Sequence, residues 1–106
     1  MSQKRKFFRL TYELGRGPEL VVDGRRYSVL DLSEEGLRFR LPPTARLAKG
    51  DHVGGTLEFA DGNSCHVRGT VLRTQISDCI VQLSKGVPLS IMMDEQRRLI
   101  RAQKGD

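Results

Sequence analysis

Two Asp-Gly pairs constrain the fold of this chain more than any other feature. Asp23-Gly24 and Asp61-Gly62 each lie between short segments in which apolar and polar residues alternate. Because Asp-Gly readily adopts the positive φ angles of a tight hairpin turn, each pair predicts two antiparallel strands. The strand-like segments are residues 9–14, 19–22, 25–31, 36–41, 53–59, 65–74 and 78–83. Short strands that recur about every 8 to 12 residues are typical of an all-β barrel or sandwich.

The pattern changes from strand-like to helical after Pro88. No glycine or further proline occurs before Gly105, and Pro88 suits a first helical turn. One predicted helical face combines residues at helical spacing, namely Leu89, Met92, Gln96, Leu99 and Gln103, with Ile100 beside them. We therefore predict a helix over residues 88–103 that closes or covers the barrel. A methionine-rich helix that binds a partner is the alternative.

The length of 106 residues suits one domain with a modest core. We predict a mobile basic lead-in at residues 1–8, a β-barrel at residues 9–86 and the helix at residues 88–103. No apolar run approaches the roughly 20 residues needed to cross a bilayer. The basic N-terminus also lacks the apolar segment of a signal peptide. We therefore expect a cytoplasmic protein without a membrane partner.

The charge of the chain favours anionic partners. Lysine and arginine total 18 against 13 aspartate and glutamate residues, so the formal net charge is +5. The basic residues crowd both ends of the chain, as Lys4, Arg5, Lys6 and Arg9, and as Arg97, Arg98, Arg101 and Lys104. A solvated basic surface is the alternative interpretation.

Catalytic and metal-binding patterns find little support in the sequence. His52 and His66 lie in no recognisable motif, and there is no phosphate-binding loop or nucleophile elbow. Cys65 and Cys79 form no Cys-x-x-Cys pair, so we interpret them as small apolar residues in a reducing compartment. We expect a binding protein that is not an enzyme and has no cofactor.

Two sequence elements offer groups that a guanine nucleotide can bind. The guanidinium groups of Arg5 and Arg9 match phosphate oxygens and the O6 and N7 edge of guanine. In a later turn, Asp31 can accept from guanine N1 and N2, and Ser33 offers a hydroxyl. Gly36 can adopt a left-handed conformation and lets a ligand approach the backbone. A simple strand-to-strand turn is the alternative for this segment.

The second element is the more specific of the two. The chain has 13 arginines, and Arg97 with Arg101 repeats the Arg-x-x-x-Arg spacing, whereas Asp-x-Ser-x-x-Gly is rarer. Both elements, in this order, match the two halves of the signature of the PilZ domain, a receptor module for the bacterial second messenger cyclic di-GMP. Gly69-Thr70-Val71 looks like a core strand of the same family. The resemblance spans roughly the whole chain.

The resemblance implies an antiparallel barrel of about six strands with a C-terminal helix. It implies reversible binding of cyclic di-GMP and a changed surface that is offered to a protein partner. Carried over to this chain, Arg5 and Arg9 contact phosphate and guanine. Asp31, Ser33 and Gly36 hold a guanine edge.

Two further residues are candidate contacts. Lys4 could add a phosphate contact, and in this family a basic residue at that position is compatible with a stacked pair of ligands. Arg38 alternates with Leu37 and Phe39, so we expect it to point outward from a solvated strand face. Contact between Arg38 and the ligand is the alternative.

Two rival functions remain open at this point. One is a protein-interaction module that does not bind the nucleotide, although such PilZ-like domains usually lack the signature residues that this chain keeps. The other is a small basic barrel that binds RNA or single-stranded DNA. That function needs exposed aromatic residues, and most of the six in this chain occupy positions that we expect in the core.

Overall fold

The structure is a computed structural model that describes residues 9–104. The predicted mobile lead-in at residues 1–8 lies outside the described residues, as do Lys4 and Arg5. Seven strands precede one helix in chain order. They are β1 (Leu10–Thr11), β2 (Glu19–Val22), β3 (Arg25–Leu32), β4 (Gly36–Arg40), β5 (His52–Glu58), β6 (Ser64–Thr74), β7 (Asp78–Lys85) and α1 (Leu89–Lys104).

Six of the strands close into an antiparallel barrel. The order around the barrel is β3-β2-β5-β6-β7-β4, and β4 pairs with β3 to complete the ring. The short β1 lies outside this ring and pairs with the end of β3, where Leu10 faces Leu32. The predicted all-β barrel with a C-terminal helix is therefore confirmed.

Both predicted hairpins are present. At the first, Asp23 and Gly24 have φ angles of 51° and 79°, the pair of positive values that a tight primed turn requires. At the second, Gly62 has a φ of 95°, and the amide of Phe59 donates to the carbonyl of Asn63 at 2.8 Å. The local turn chemistry thus determines where four of the barrel strands reverse direction.

The first predicted strand is shorter than residues 9–14. β1 ends at Thr11, although the amide of Tyr12 still donates to the carbonyl of Leu30 at 2.9 Å. A turn follows at once, because the amide of Arg16 bonds the carbonyl of Glu13 at 2.9 Å and Gly15 has a φ of 82°. This turn draws the chain away from β3 before the strand can lengthen.

Alternating apolar residues of the strands fill the barrel. The best buried members of the core are Leu20, Val29, Leu32, Phe39, Leu57, Val67, Val71, Cys79 and Val81. Burial of a leucine or phenylalanine side chain contributes roughly 1.5–3 kcal/mol to folding, so this single cluster is the main source of stability. Cys65 and Cys79 are both free thiols, and Cys79 is fully buried.

The helix packs on the barrel with only part of the predicted face. Met92 is fully buried and joins the core, with Ile91 and Leu99 packed beside it. Leu89, which we expected on this face, is 51% exposed, whereas Glu95 is only 1% exposed. The packed face therefore includes Glu95, whose buried carboxylate accepts hydrogen bonds from Tyr12 and Arg98. No helix within residues 9–104 has the length and apolar character that a membrane span requires.

Candidate functional site

The segment from Asp31 to Gly36, here called the signature turn, joins β3 to β4 and is held by backbone hydrogen bonds. The amide of Ser33 donates to the carbonyl of Gly36 at 2.8 Å, which closes the turn. The amide of Leu83 donates to the carbonyl of Glu35 at 2.8 Å, which fastens the turn to β7. Its backbone therefore has a defined position before any ligand arrives.

Gly36 differs from the prediction in its backbone conformation. It does not have a positive φ angle, so the left-handed conformation that we expected is wrong. Gly36 begins β4 in extended backbone, and a Cβ atom there would lie 3.2 Å from the carbonyl oxygen of Val81. The close approach of β7 is what favours glycine at this position.

A β-bulge in β3 turns Asp31 out of the barrel. Val29 pairs with Phe39, but Asp31 pairs with Arg38, so Leu30 is one extra residue in β3. In a regular strand, Val29 and Asp31 would point to the same face and Asp31 would enter the core. The bulge reverses this, and Leu32 takes the inward position instead, fully buried opposite Leu37.

Asp31 is the centre of a network of ion pairs. Its Oδ1 accepts a hydrogen bond from Nη1 of Arg9 at 3.2 Å, and its Oδ2 accepts one from Nε of Arg38 at 2.8 Å. Nη1 of Arg38 also donates to Oδ2 of Asp78 at 2.7 Å. The network thus runs from the first signature half, through Asp31 and Arg38, to the start of β7.

Arg38 differs from the solvated side chain that we expected. It does point outward from β4, but its side chain is only 33% exposed and bonds two carboxylates. Hydrogen bonds to Asp31 and Asp78 raise the pKa of its guanidinium above the usual value. Arg9 is held less firmly than Arg38. Its side chain is 69% exposed, and its contact with Asp31, at 3.2 Å, is longer than that of Arg38.

These groups border an open cavity of about 760 Å³ on the outer face of the barrel. Of the predicted site residues, Arg9, Asp31, Ser33, Gly36 and Arg38 all line it. Lys4 and Arg5 lie outside the described residues, so their positions relative to the cavity stay predictions.

The opposite wall of the cavity was missed by the sequence analysis. It comes from β6, β7 and the turn between them, and it includes Leu72, Arg73, Gln75, Ile80 and Gln82. A register shift between Val71 and Arg73 leaves Leu72 as an extra residue, 46% exposed, in β6. Neither this bulge nor the approach of Asp78 to Arg38 has a motif in the sequence that would reveal it.

The cavity contains a mixture of charges suited to a polar ligand. Arg9, Arg38 and Arg73 supply cations, while Asp31 and Glu35 supply anions, and Leu72 and Ile80 add apolar surface. Arginine can bond phosphate or a guanine edge and can stack on a purine ring. By contrast, Arg97 of the second Arg-x-x-x-Arg pair lies on α1 and bonds Asp94 at 2.6 Å, away from the cavity.

The described residues offer no metal centre. Within residues 9–104, no three His, Cys, Asp or Glu side chains are grouped so that they could hold a metal ion. His66 instead shares a hydrogen bond of 3.1 Å with the hydroxyl of Thr56 on the exposed face of β5 and β6.

Comparisons with known proteins agree with this fold. In structure, the chain is similar to the crystal structure of an uncharacterized protein of Legionella, with a TM-score of 0.63 and 16% sequence identity. The similarity covers 92% of this chain and 98% of that one, and at this identity it supports the fold alone. No curated protein matches the chain. The family model of the PilZ domain matches residues 3–102, and the chain therefore belongs to the PilZ domain family, a family of cyclic di-GMP-binding modules.

Proposed function

We propose that this protein is a receptor for cyclic di-GMP and that the ligand binds in the cavity around Asp31. The observation that carries the proposal is the ion pair between Arg9 and Asp31, which are 22 residues apart in the chain. It joins the two halves of the signature at one cavity, with Ser33 and Gly36 in the same wall.

The chemistry of guanine fits the groups on both sides of this ion pair. The carboxylate of Asp31 accepts hydrogen bonds from guanine N1 and N2, and the forked guanidinium of Arg9 donates to O6 and N7 or to phosphate. The hydroxyl of Ser33 adds a donor, and Gly36 leaves room for the guanine edge beside the backbone. In this proposal, Arg5 and Lys4 approach the phosphates from the preceding segment.

The binding event is a signal and not a chemical reaction. The ligand gives Arg9 and Asp31 new partners, so the surface around the cavity changes. We propose that a protein partner recognises this changed surface in the bacterial cytoplasm, where the messenger acts. The rival function of single-stranded nucleic-acid binding is disfavoured, because the described aromatic residues are not exposed: Tyr12, Phe39 and Phe59 are buried and Tyr27 is half-buried.

Calorimetric titration tests the proposal. We expect saturable heat with cyclic di-GMP at tens of micromolar or below, and much weaker binding of GMP and cyclic di-AMP. Adenine presents an N6 donor where guanine presents the O6 acceptor, so the arginines would meet the wrong group. Equal binding of cyclic di-AMP, or no heat with cyclic di-GMP, contradicts the proposal. A gel shift with an oligonucleotide, performed beside it, tests the nucleic-acid alternative.

A further inference from the structure

The two arginines that hold Asp31 are anchored very differently. Arg38 bonds Oδ2 of Asp31 at 2.8 Å, and its other end bonds Asp78 at 2.7 Å. Arg9 bonds Oδ1 at 3.2 Å and has a side chain that is 69% exposed. A ligand that competes for Asp31 therefore displaces the contact with Arg9 more easily than the contact with Arg38.

The surroundings of Arg38 make it a fixed support. The side chains of Asp31 and Asp78 are 12% and 14% exposed, so both carboxylates are largely shielded from water. Charge-assisted hydrogen bonds in such surroundings are stronger than those between exposed groups. Asp78 lies at the start of β7 and Arg38 in the middle of β4, so the support comes from two paired strands of the barrel.

We propose that Arg38, anchored by Asp78, is a positioning residue that orients the Asp31 carboxylate toward guanine. This inference rests on the proposed function and adds two residues to it. Arg38 stays bonded to Oδ2 when the ligand binds, and Asp31 keeps its orientation. Arg9 leaves Oδ1, which becomes an acceptor for the guanine edge, and the released guanidinium turns to the ligand.

The support also bears on base selectivity. A carboxylate that is held in one orientation can meet guanine N1 and N2 together, whereas a freely rotating one averages over poorer geometries. Loss of Arg38 should therefore reduce the preference for cyclic di-GMP over cyclic di-IMP, whose hypoxanthine bases lack the N2 amino group.

A double-mutant cycle on the full chain tests the inference. The variants are Arg38→Gln, Asp31→Ala and the pair combined, with dissociation constants for cyclic di-GMP measured by calorimetry. We expect Arg38→Gln to weaken binding about tenfold, the size of one charge-assisted hydrogen bond. In the Asp31→Ala background, Arg38→Gln should have almost no further effect, because Arg38 acts through Asp31.

Asp78→Asn provides a second, milder variant that keeps the shape of the side chain. We expect it to weaken binding by about threefold to tenfold in the natural chain, and not at all in the Arg38→Gln background. The matched control is Arg26→Gln. Arg26 also bridges two carboxylates, those of Glu19 and Glu58 at 2.9 Å and 2.8 Å, but it does not line the cavity. It should leave the dissociation constant unchanged.

The outcomes separate this inference from the proposed function. If the natural chain does not bind cyclic di-GMP, the proposed function fails and this inference falls with it. If the natural chain binds but Arg38→Gln has no effect, or costs the same with and without Asp31, only the positioning role is overturned. A ratio of cyclic di-GMP to cyclic di-IMP affinity that Arg38→Gln leaves unchanged also overturns it. Thermal unfolding of each variant checks that it is folded. If Arg38→Gln is not folded, the affinity of Asp78→Asn, the more conservative change, is compared with that of the natural chain instead.

Discussion

The hydroxyl of Tyr12 donates a 2.8 Å hydrogen bond to Oε2 of Glu95, which is only 1% exposed on the barrel-facing side of α1. Arg98 bonds the same carboxylate through Nε and Nη2 at 3.0 Å and 2.9 Å. A buried carboxylate is costly unless hydrogen bonds satisfy it, so this cluster sets how α1 sits on the barrel. Because Tyr12 follows Arg9 by three residues, it also ties the chain next to the candidate site to the helix.

We predict that Tyr12→Phe lowers the free energy of unfolding by about 1–3 kcal/mol, because Glu95 loses one of its donors while it stays buried. Urea denaturation measures the change. The matched control is Tyr27→Phe, which keeps the ring contact with Phe39 at a centroid distance of 5.2 Å and should cost less. Equal losses for the two tyrosines would show that the Glu95 cluster has no special role.

Alkaline pH should destabilise the fold. Burial raises the pKa of the Cys79 thiol from 9.0 to about 11. Burial, with the hydrogen bond to Glu95, also raises the pKa of the Tyr12 phenol. A raised pKa in the folded state means that the unfolded chain ionises first, so stability is complete below about pH 9 and falls as pH rises toward 11.

The contribution of Cys79 to this loss should be of order 2 kcal/mol, from a pKa difference of about two units. Urea denaturation at pH 7, 9 and 10.5 measures it. Cys79→Ala is less stable at pH 7 because it leaves a cavity in the core, but its stability should fall less steeply over this pH range. If both chains lose stability with the same slope, the thiol does not contribute.

Gly86→Ala should disturb the signature turn. A Cβ atom at residue 86 would clash with the carbonyl oxygen of Glu34, so the turn or the segment before α1 must move. We predict a loss of about 1–3 kcal/mol in stability, as for other overpacked sites, together with weaker binding of cyclic di-GMP. Calorimetry and thermal unfolding give the two values.

Gly54→Ala is the matched control for that substitution. Its Cβ would lie 3.3 Å from Cγ of Arg68, the stem of a flexible side chain that can shift. We expect little change in stability or affinity. A harmless Gly86→Ala would show that the backbone of the turn adapts without affecting the site.

Substitution of the signature residues should weaken binding without unfolding the domain. We expect Arg5→Ala, Arg9→Ala and Asp31→Ala each to cost about 1–3 kcal/mol in binding free energy, by analogy with bidentate contacts to guanine. Calorimetric titration measures the loss, and circular dichroism checks the fold.

The second arginine pair provides the control for that series. Arg97→Ala and Arg101→Ala keep the same spacing but lie on α1, outside the lining of the cavity. Their effect should be far smaller. If they prove as damaging as Arg9→Ala, the assignment of the signature to this cavity is wrong.

Local sequence determined the elements whose structure depends on near neighbours. Asp23-Gly24 and Asp61-Gly62 predicted two hairpins, because a tight turn depends on the backbone of a few neighbouring residues. Asp23, Gly24 and Gly62 have positive φ angles in these turns, whereas Asp61 does not. The helix was predicted to within one residue at each end, since its pattern is continuous and flanked by Pro88 and Gly105. The signature residues were likewise recognisable, because a motif is a local spacing of chemical groups.

The tertiary structure decided how those groups face one another. The outward direction of Asp31 depends on one extra residue in the pairing of β3 with β4, and alternation alone would have placed Asp31 in the core. Arg38 finds Asp78 40 residues later in the chain, and Tyr12 finds Glu95 83 residues later. Such contacts follow from strand register and from the packing of α1 on the closed barrel. Both are properties of the whole assembled chain, so no local pattern of residues could predict them.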